Sequence, residues 1–268
     1  MEVPKVGGRD DRSLFGVFDG HGVNGHGVSE FLMQRMPGFL LAQPHLEEET
    51  TDAFVDSFAA TSEALIKSPI DCTFSGSTGV CVLLNRRKII CANVGDSRAV
   101  LAAVDAKGKY TAVALSDDHK PDRPDEMKRI LDNRGRVEAC QSPEGPVGPA
   151  RVWLLNDDVP GLAMSRSFGD LIAASVGVTP IPEIMEHDVR ACDKYIIIVR
   201  VLPPLIFYRS CRSCICVFES NAFSVSHSGY AFSFCLCACL CVSSGLGRHL
   251  GVHLVARGGR HGRRVQDH

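Results

Sequence analysis

Residues 13–27 read SLFGVFDGHGVNGHG. A short apolar run, Phe15, Val17 and Phe18, ends abruptly in Asp19, followed at once by Gly, His and Gly. The run predicts a buried strand bounded by turn signals. Asp19 is then carried to the end of that strand, where Gly20 and Gly22 let the backbone bend sharply. A carboxylate and an imidazole one glycine apart, on the lip of a sheet, suit metal binding or acid–base chemistry. The same residues also fit a tight turn that leaves His21 merely exposed, so the rest of the chain has to decide.

Upstream, residues 1–12 are polar and glycine-containing and predict no element. Downstream, Val28, Phe31, Leu32 and Met36 recur at helical spacing and predict a helix over 27–41. Pro44 separates it from a second helical stretch with Phe54, Phe58 and Leu65 on one side, Thr51 and Asp52 at its start and Pro69 beyond its end. The period then changes. Residues 79–84, 88–94, 98–104 and 110–115 are short, apolar and rich in β-branched side chains, with turns between them, and predict an antiparallel meander. Pro124, Asp125 and Glu126 open a helix whose stripe is Met127, Ile130 and Leu131 and which Gly135 ends. Residues 139–151, rich in Pro and Gly, predict a loop or surface insert rather than core, and 195–199 predicts a central strand. That order argues for an α+β fold of antiparallel sheets covered by helices rather than alternating βαβ units.

The 268 residues suffice for one large domain or two small ones, and a net charge of -2 suggests neither a nucleic-acid binder nor a disordered chain. The averages hide a break near residue 195. Up to Lys194 there are 21 Lys and Arg against 29 Asp and Glu, a balance of -8; from Tyr195 on there are 8 Arg against two acids, +6. Seven of the 12 cysteines fall between Cys211 and Cys241. The other five are scattered, two of them in apolar runs where a thiol serves as a small hydrophobe, so a reducing compartment, cytoplasmic or nuclear, is expected. The first twenty residues carry no basic-then-apolar leader pattern.

Taken together, several runs resemble the metal-dependent protein serine/threonine phosphatases of the 2C type. They are LFGVFDGHG (14–22), SGSTGVCVLL (75–84), ANVGDSRAVL (92–101), LSDDHKP (115–121), NRGRVE (133–138), LAMSRSFGD (162–170), PEIMEHDV (182–189) and DKYIII (193–198). The resemblance covers residues 13–198. It implies a four-layer α-β-β-α sandwich of two antiparallel sheets flanked by helices, incomplete here, with carboxylates at one end holding two Mn2+ or Mg2+ ions. Hard divalent cations favour carboxylate oxygen, and two of them about 4 Å apart generate a hydroxide for in-line attack on phosphate. On this matching Asp19 bridges both ions, the Gly20 carbonyl reaches one, and His21 protonates the leaving serine or threonine oxygen. Asp96 matches the ligand of a third, weaker metal, although a turn Asp in its hairpin is the reading preferred. Arg166 and Asp170 are expected to form a structural ion pair beside the site, and His119 a solvated or hydrogen-bonded loop residue.

The sequence also departs from the family pattern. An upstream strand bearing an Arg and a Glu-Asp pair is not matched within the 18 residues before Asp19, and Glu2, Asp10 and Asp11 are poor substitutes. DKYIII continues as VRVLPPLIFYRSC rather than through an Ala-Ser-Asp-Gly-type motif. Only Asp19 and Gly20 then remain to bind the two ions. The expectation is a phosphatase-type domain over 1–198 with little or no activity, acting on phosphorylated proteins, or its alternative, an inactive phosphatase-like binding or regulatory protein. No nucleic-acid partner or membrane span is expected, and a monomer is. Residues 199–268 form a Cys/Arg/Gly-rich tail expected to be disordered or mistranslated. Its cysteines match no closed zinc pattern, and its apolar run of 12 residues (231–242) is too short to span a bilayer.

Overall fold

A computed structural model describes residues 1–200 in full, and beyond them only the backbone of the strands Ile215–Glu219 and Leu236–Cys237. The organising strand is β2 (Arg12–Val17). It lies between β1 (Glu2–Pro4) and β5 (Gly79–Asn85) in a five-stranded sheet completed by β6 (Lys88–Val94) and β13 (Glu183–Asp188). Every pairing in this sheet is antiparallel. Its strands are apolar on both faces because both faces are covered. Phe15, Val80, Val82 and Cys91 point to one core, while Leu14, Cys81, Leu83 and Ile90 point to the other.

The second of these cores lies under α1 (Gly25–Leu41) and α2 (Thr50–Ile66). Val28, Leu32, Met36 and Leu40, four residues apart, form the buried stripe of α1; Phe54, Phe58 and Leu65 do the same on α2. The first core lies between this sheet and a second one. There β14 (Asp193–Val199) pairs with β7 (Arg98–Val104), which pairs in turn with β8 (Tyr110–Ala114). On its other side β14 pairs with β15 (Ile215–Glu219), followed by β16 (Leu236–Cys237). Ala99, Leu101, Ile196 and Ile198 are this sheet's contribution to the shared core. The α+β sandwich of two antiparallel sheets is therefore formed. Among the described residues its helical layer is α1 and α2, on the outer face of the first sheet.

Three sequence expectations are corrected. The expected four-strand meander is split in two: β5 pairs with β6 in the first sheet and β7 with β8 in the second, and β6 and β7 are joined by a turn without pairing. Of the loop or surface insert expected over 139–151, the structure forms the insert and not the loop. There β9 (Gly135–Ser142) and β10 (Gly145–Leu154) make an antiparallel hairpin, half-buried to exposed over these residues, that β11 (Pro160–Leu162) extends to three strands. The Pro and Gly residues fall at its exposed tip, where the register shifts between Val147 and Ala150, and a bulge accommodates them. Its base is ordinary core, with Val152 buried against Ile130 of α3 (Pro124–Asp132) and Ala173 of α4 (Leu171–Ala174). Residues 1–12 also hold structure. Glu2, Val3 and Pro4 pair with Phe15, Leu14 and Ser13, the Met1 ammonium donates to the Gly16 carbonyl at 2.8 Å, and a single 3-10 turn follows at Val6–Gly8. A strand of three residues on an edge carries too little pattern to be read. Asp10 and Asp11 bond to Lys5 and Arg9 on the surface, away from Asp19.

A small third element gathers the motifs. β3 (Gly20–His21) and β12 (Phe168–Gly169) flank β4 (Gly76–Ser77), so residues distant in sequence meet across two-residue strands. The readings of the tail as disordered, mistranslated, zinc-binding or apolar fall outside the described residues. Val199, Arg200 and the backbone of β15 and β16 are all that is described beyond residue 198.

Candidate functional site

Asp19 leaves β2 and is pinned by its own backbone. Its N–H donates to Thr78 Oγ1 at 3.0 Å, and its carbonyl accepts from the Thr78 N–H at 3.1 Å. Thr78 is held in turn by Ser97 at 2.7 Å. Gly20 then crosses the start of α1 so closely that a Cβ there would collide with the Gly25 carbonyl oxygen. At the facing position a Cβ on Gly76 would collide with the Asp170 carboxylate. The glycines of both motifs thus make room for the polar groups between them.

His21 Nε2 lies 2.6 Å from Asp170 Oδ2, which also accepts from Ser167 Oγ at 2.6 Å. Asp170 is buried and adopts a left-handed backbone conformation, φ +47°. That turns its carboxylate back toward His21. His21 Nδ1 is buried with no hydrogen-bond partner among the described residues. Burial alone would push the imidazole pKa down. The Asp170 hydrogen bond and the charges of Asp170, Asp19 and Asp96 outweigh it, and the net shift is upward. A protonated imidazole fixed by a carboxylate is the arrangement a proton donor needs. Asp170→Asn is expected to bring the His21 titration down, since burial stays while the opposing charge goes; following the imidazole resonances by NMR against pH checks it. The sign also fixes the stability effect: the contribution of a raised His is full below the ordinary value of 6.5 and lost as pH rises through the folded value.

Asp19 itself is shifted upward, first by burial and further by Asp96, with Arg200 acting against both. Arg200 Nη1 donates to Asp19 Oδ1 at 3.1 Å. Asp96 sits in the turn between β6 and β7, but these strands belong to different sheets and form no hairpin, and its carboxylate goes to Lys120 Nζ at 2.5 Å. Its neighbours Ser97 and Arg98 reach Thr78 and Asp118. Arg200 and Lys120 were not singled out by the sequence. Both partner an acid far along the chain, and no local pattern marks them.

The expected Arg166–Asp170 ion pair does not form. Arg166 turns to Glu126, with Nη2 at 2.8 Å and Nε at 3.1 Å from Oε1. Glu126 is fully buried and also accepts from Arg129 Nη1 and Nη2, each at 2.7 Å, and from the Ser165 hydroxyl. Burial would raise its pKa, but these donors together hold it far below the usual carboxylate range. His119 is buried rather than solvated, and hydrogen-bonded. Its Nδ1 accepts from the Gly95 N–H at 3.1 Å and its Nε2 faces Glu183 at 3.1 Å, an arrangement that fits the neutral ring. Burial, with Arg166 adding to it, pushes its pKa down to about 4. It braces the Gly95–Asp96 turn.

Beside the His21–Asp170 pair lies a cavity of about 300 Å3 with Phe74, Leu162, Met164 and Arg151 among its walls. Arg151 Nη1 donates to the Gly161 carbonyl at 2.7 Å, while its Nε is buried without a hydrogen-bond partner among the described residues. Arg151 is a third residue the sequence reading missed, because it ends the stretch read as a loop or surface insert.

The domain model described as "Protein phosphatase 2C" matches residues 2–199. The chain is 40% identical over 202 residues to "Probable protein phosphatase 2C 72" of Arabidopsis thaliana, across 71% of this chain and 60% of that protein. It is 42% identical over 201 residues to "Probable protein phosphatase 2C 64" of rice (Oryza sativa subsp. japonica), across 72% and 46% respectively. The chain thus spans about half the length of the curated relatives it matches. Among solved structures it resembles a serine-threonine phosphatase 2C from Toxoplasma gondii, with a TM-score of 0.63, 23% identity, and coverage of 72% of this chain and 68% of that one.

Proposed function

The chain belongs to the protein phosphatase 2C family, and from that premise we propose that it engages proteins phosphorylated on serine or threonine at the corner formed by His21, Asp170 and Arg151. The family is metal-dependent, and two Mn2+ or Mg2+ ions are the expected activators. The side chains present do not fit that pair. Hard divalent ions need several oxygen donors converging on one point. Asp19 is taken by Arg200, Asp96 by Lys120, and Asp170 by His21 and Ser167. Among the described residues no group of three or more His, Cys, Asp or Glu side chains converges on a common point.

What remains fits recognition and proton donation. The observation that carries this reading is the cavity beside His21. Two residues in its wall, His21 and Arg151, each have a buried nitrogen without a partner among the described residues. Buried nitrogens of this kind call for an acceptor, and a phosphate monoester offers several oxygens to a guanidinium and an imidazolium. The apolar walls suit the flanking side chains of a peptide. The Cys residues among those described are all free thiols, in keeping with the proposed reducing compartment.

Full-length protein titrated into a labelled phosphoserine peptide, read by fluorescence anisotropy, tests this. Binding should be saturable and should vanish with the unphosphorylated peptide. Arg151→Ala should weaken it about 10- to 100-fold, the range for a charged hydrogen bond. Equal affinity for both peptides overturns the reading. Mn2+-dependent turnover of the phosphopeptide at ordinary rates, lost in Asp19→Ala, would restore full hydrolase function instead.

A further inference from the structure

Asp19 stands just beyond β2 and Arg200 just beyond β14, on two sheets that pack face to face. Their side chains meet where the strands end, with Nη1 of Arg200 at 3.1 Å from Oδ1 of Asp19 and about a quarter of each side chain open to solvent, 30% and 24%. Asp96, which shares the electrostatic field of Asp19, has its own cation in Lys120. The site therefore carries its counter-charges on the chain itself.

We propose that Arg200 is a built-in counter-cation for Asp19, standing where the family would bring a divalent ion, so that this protein folds and holds its site without metal. The chemistry supports the substitution. A guanidinium stays charged at every working pH and offers several donors in a fixed plane, so one residue supplies both charge and hydrogen bonding to a carboxylate. The Asp19 backbone needs no metal for its placement, because Thr78 holds it on both sides. A divalent ion would have to break the Arg200 pair or sit beside a like charge, and one carboxylate is a poor return for its lost hydration. The inference concerns metal, whereas the phosphopeptide assay reads Arg151, so either can fail while the other stands.

The test uses the full chain, thermal unfolding and the electron paramagnetic resonance signal of aqueous Mn2+. Wild type is expected to melt at the same temperature in EDTA and in millimolar Mn2+, and to leave the free-ion signal undiminished. Arg200→Met should lower the melting temperature, because Asp19 is left partly buried without its cation. Adding Asp19→Asn should recover that loss rather than deepen it, since the uncompensated charge is then gone. Arg200→Lys should recover part of the loss. A melting temperature that climbs with Mn2+ by about 5–10 °C at a hundredfold excess over Kd, in a manner Asp19→Asn abolishes, overturns the proposal. So does an Arg200→Met loss that Asp19→Asn leaves unrelieved. Should Arg200→Met not fold, the wild-type and Asp19→Asn titrations decide alone.

Discussion

Glu126→Ala is expected to cost the folded chain about 3–5 kcal/mol, the range for removing one partner of a buried ion pair. The side chain is fully buried, and its carboxylate is shared by Arg166, Arg129 and Ser165. Truncation leaves two guanidinium groups largely shielded from water with no counter-charge. The loss should not be confined to stability, since Arg129 also donates to the Ser165 and Gly177 carbonyls and Arg166 to that of Ile181. These bonds hold the segment that runs from Ser165 into Asp170. Urea unfolding of variant and wild type measures the cost directly. The same residue dictates a pH dependence. A carboxylate whose folded pKa is depressed contributes stability above its ordinary value of 4.5, and that contribution drains away as pH falls toward the folded value. Wild type should therefore lose stability steadily below pH 4.5, while Glu126→Gln should start lower and fall less steeply. An unchanged slope in Glu126→Gln would show that another acid carries the effect.

Phe168→Ala is expected to be comparably severe, about 3–5 kcal/mol for emptying a buried aromatic site. Phe168 belongs to β12, two residues before Asp170, yet its ring packs in the helix-side core, 5.3 Å from the ring of Phe58. It is the anchor that ties the three small strands of the site to α2. Removing it opens a cavity and frees the turn that aims Asp170 at His21. Thermal unfolding should fall by about 6–20 °C for a chain of this size, and phosphopeptide affinity should drop with it. Phe168→Leu, which refills most of the space, should retain most of both. If Phe168→Ala melted like wild type, the small sheet would owe its position to something other than this contact.

Much of this architecture could be read from the sequence because the relevant signals are local. The strands β5, β6, β7 and β8 follow β-branched runs and the turns between them. They form two hairpins on two sheets rather than the single meander the sequence suggested, because the chain crosses between the sheets at the turn over residues 95–97. The stripes of α1 and α2 recur at the spacing that buries them, and DGHG places Asp19, Gly20 and His21 at a strand end. The failures have physical reasons. β1 is three residues long and exists only because β2 offers it an edge. The β9–β10 hairpin keeps Pro146 and Pro149 at an exposed, bulged tip, so composition suggested a loop or surface insert where the strands pair. Arg166 and Asp170, four residues apart, look like a local pair, but the left-handed backbone at Asp170 points them apart, to Glu126 and to His21. Lys120 and Arg200 pair with acids 24 and 181 residues away, separations over which periodicity carries no information.

The contact between His21 and Asp170 joins residues 149 positions apart, across strands only two residues long. Such a contact has almost no local structure to form first, and its loop-closure entropy must be met by the sheets and helices that bring the two ends together. The site is thus expected to form late in folding, once β2, β5 and α2 have set its frame. No excised piece of the chain that lacks either end would carry it. A nascent chain that has emerged only through α3 holds both the glycines and the histidine of the first motif, and still has no site.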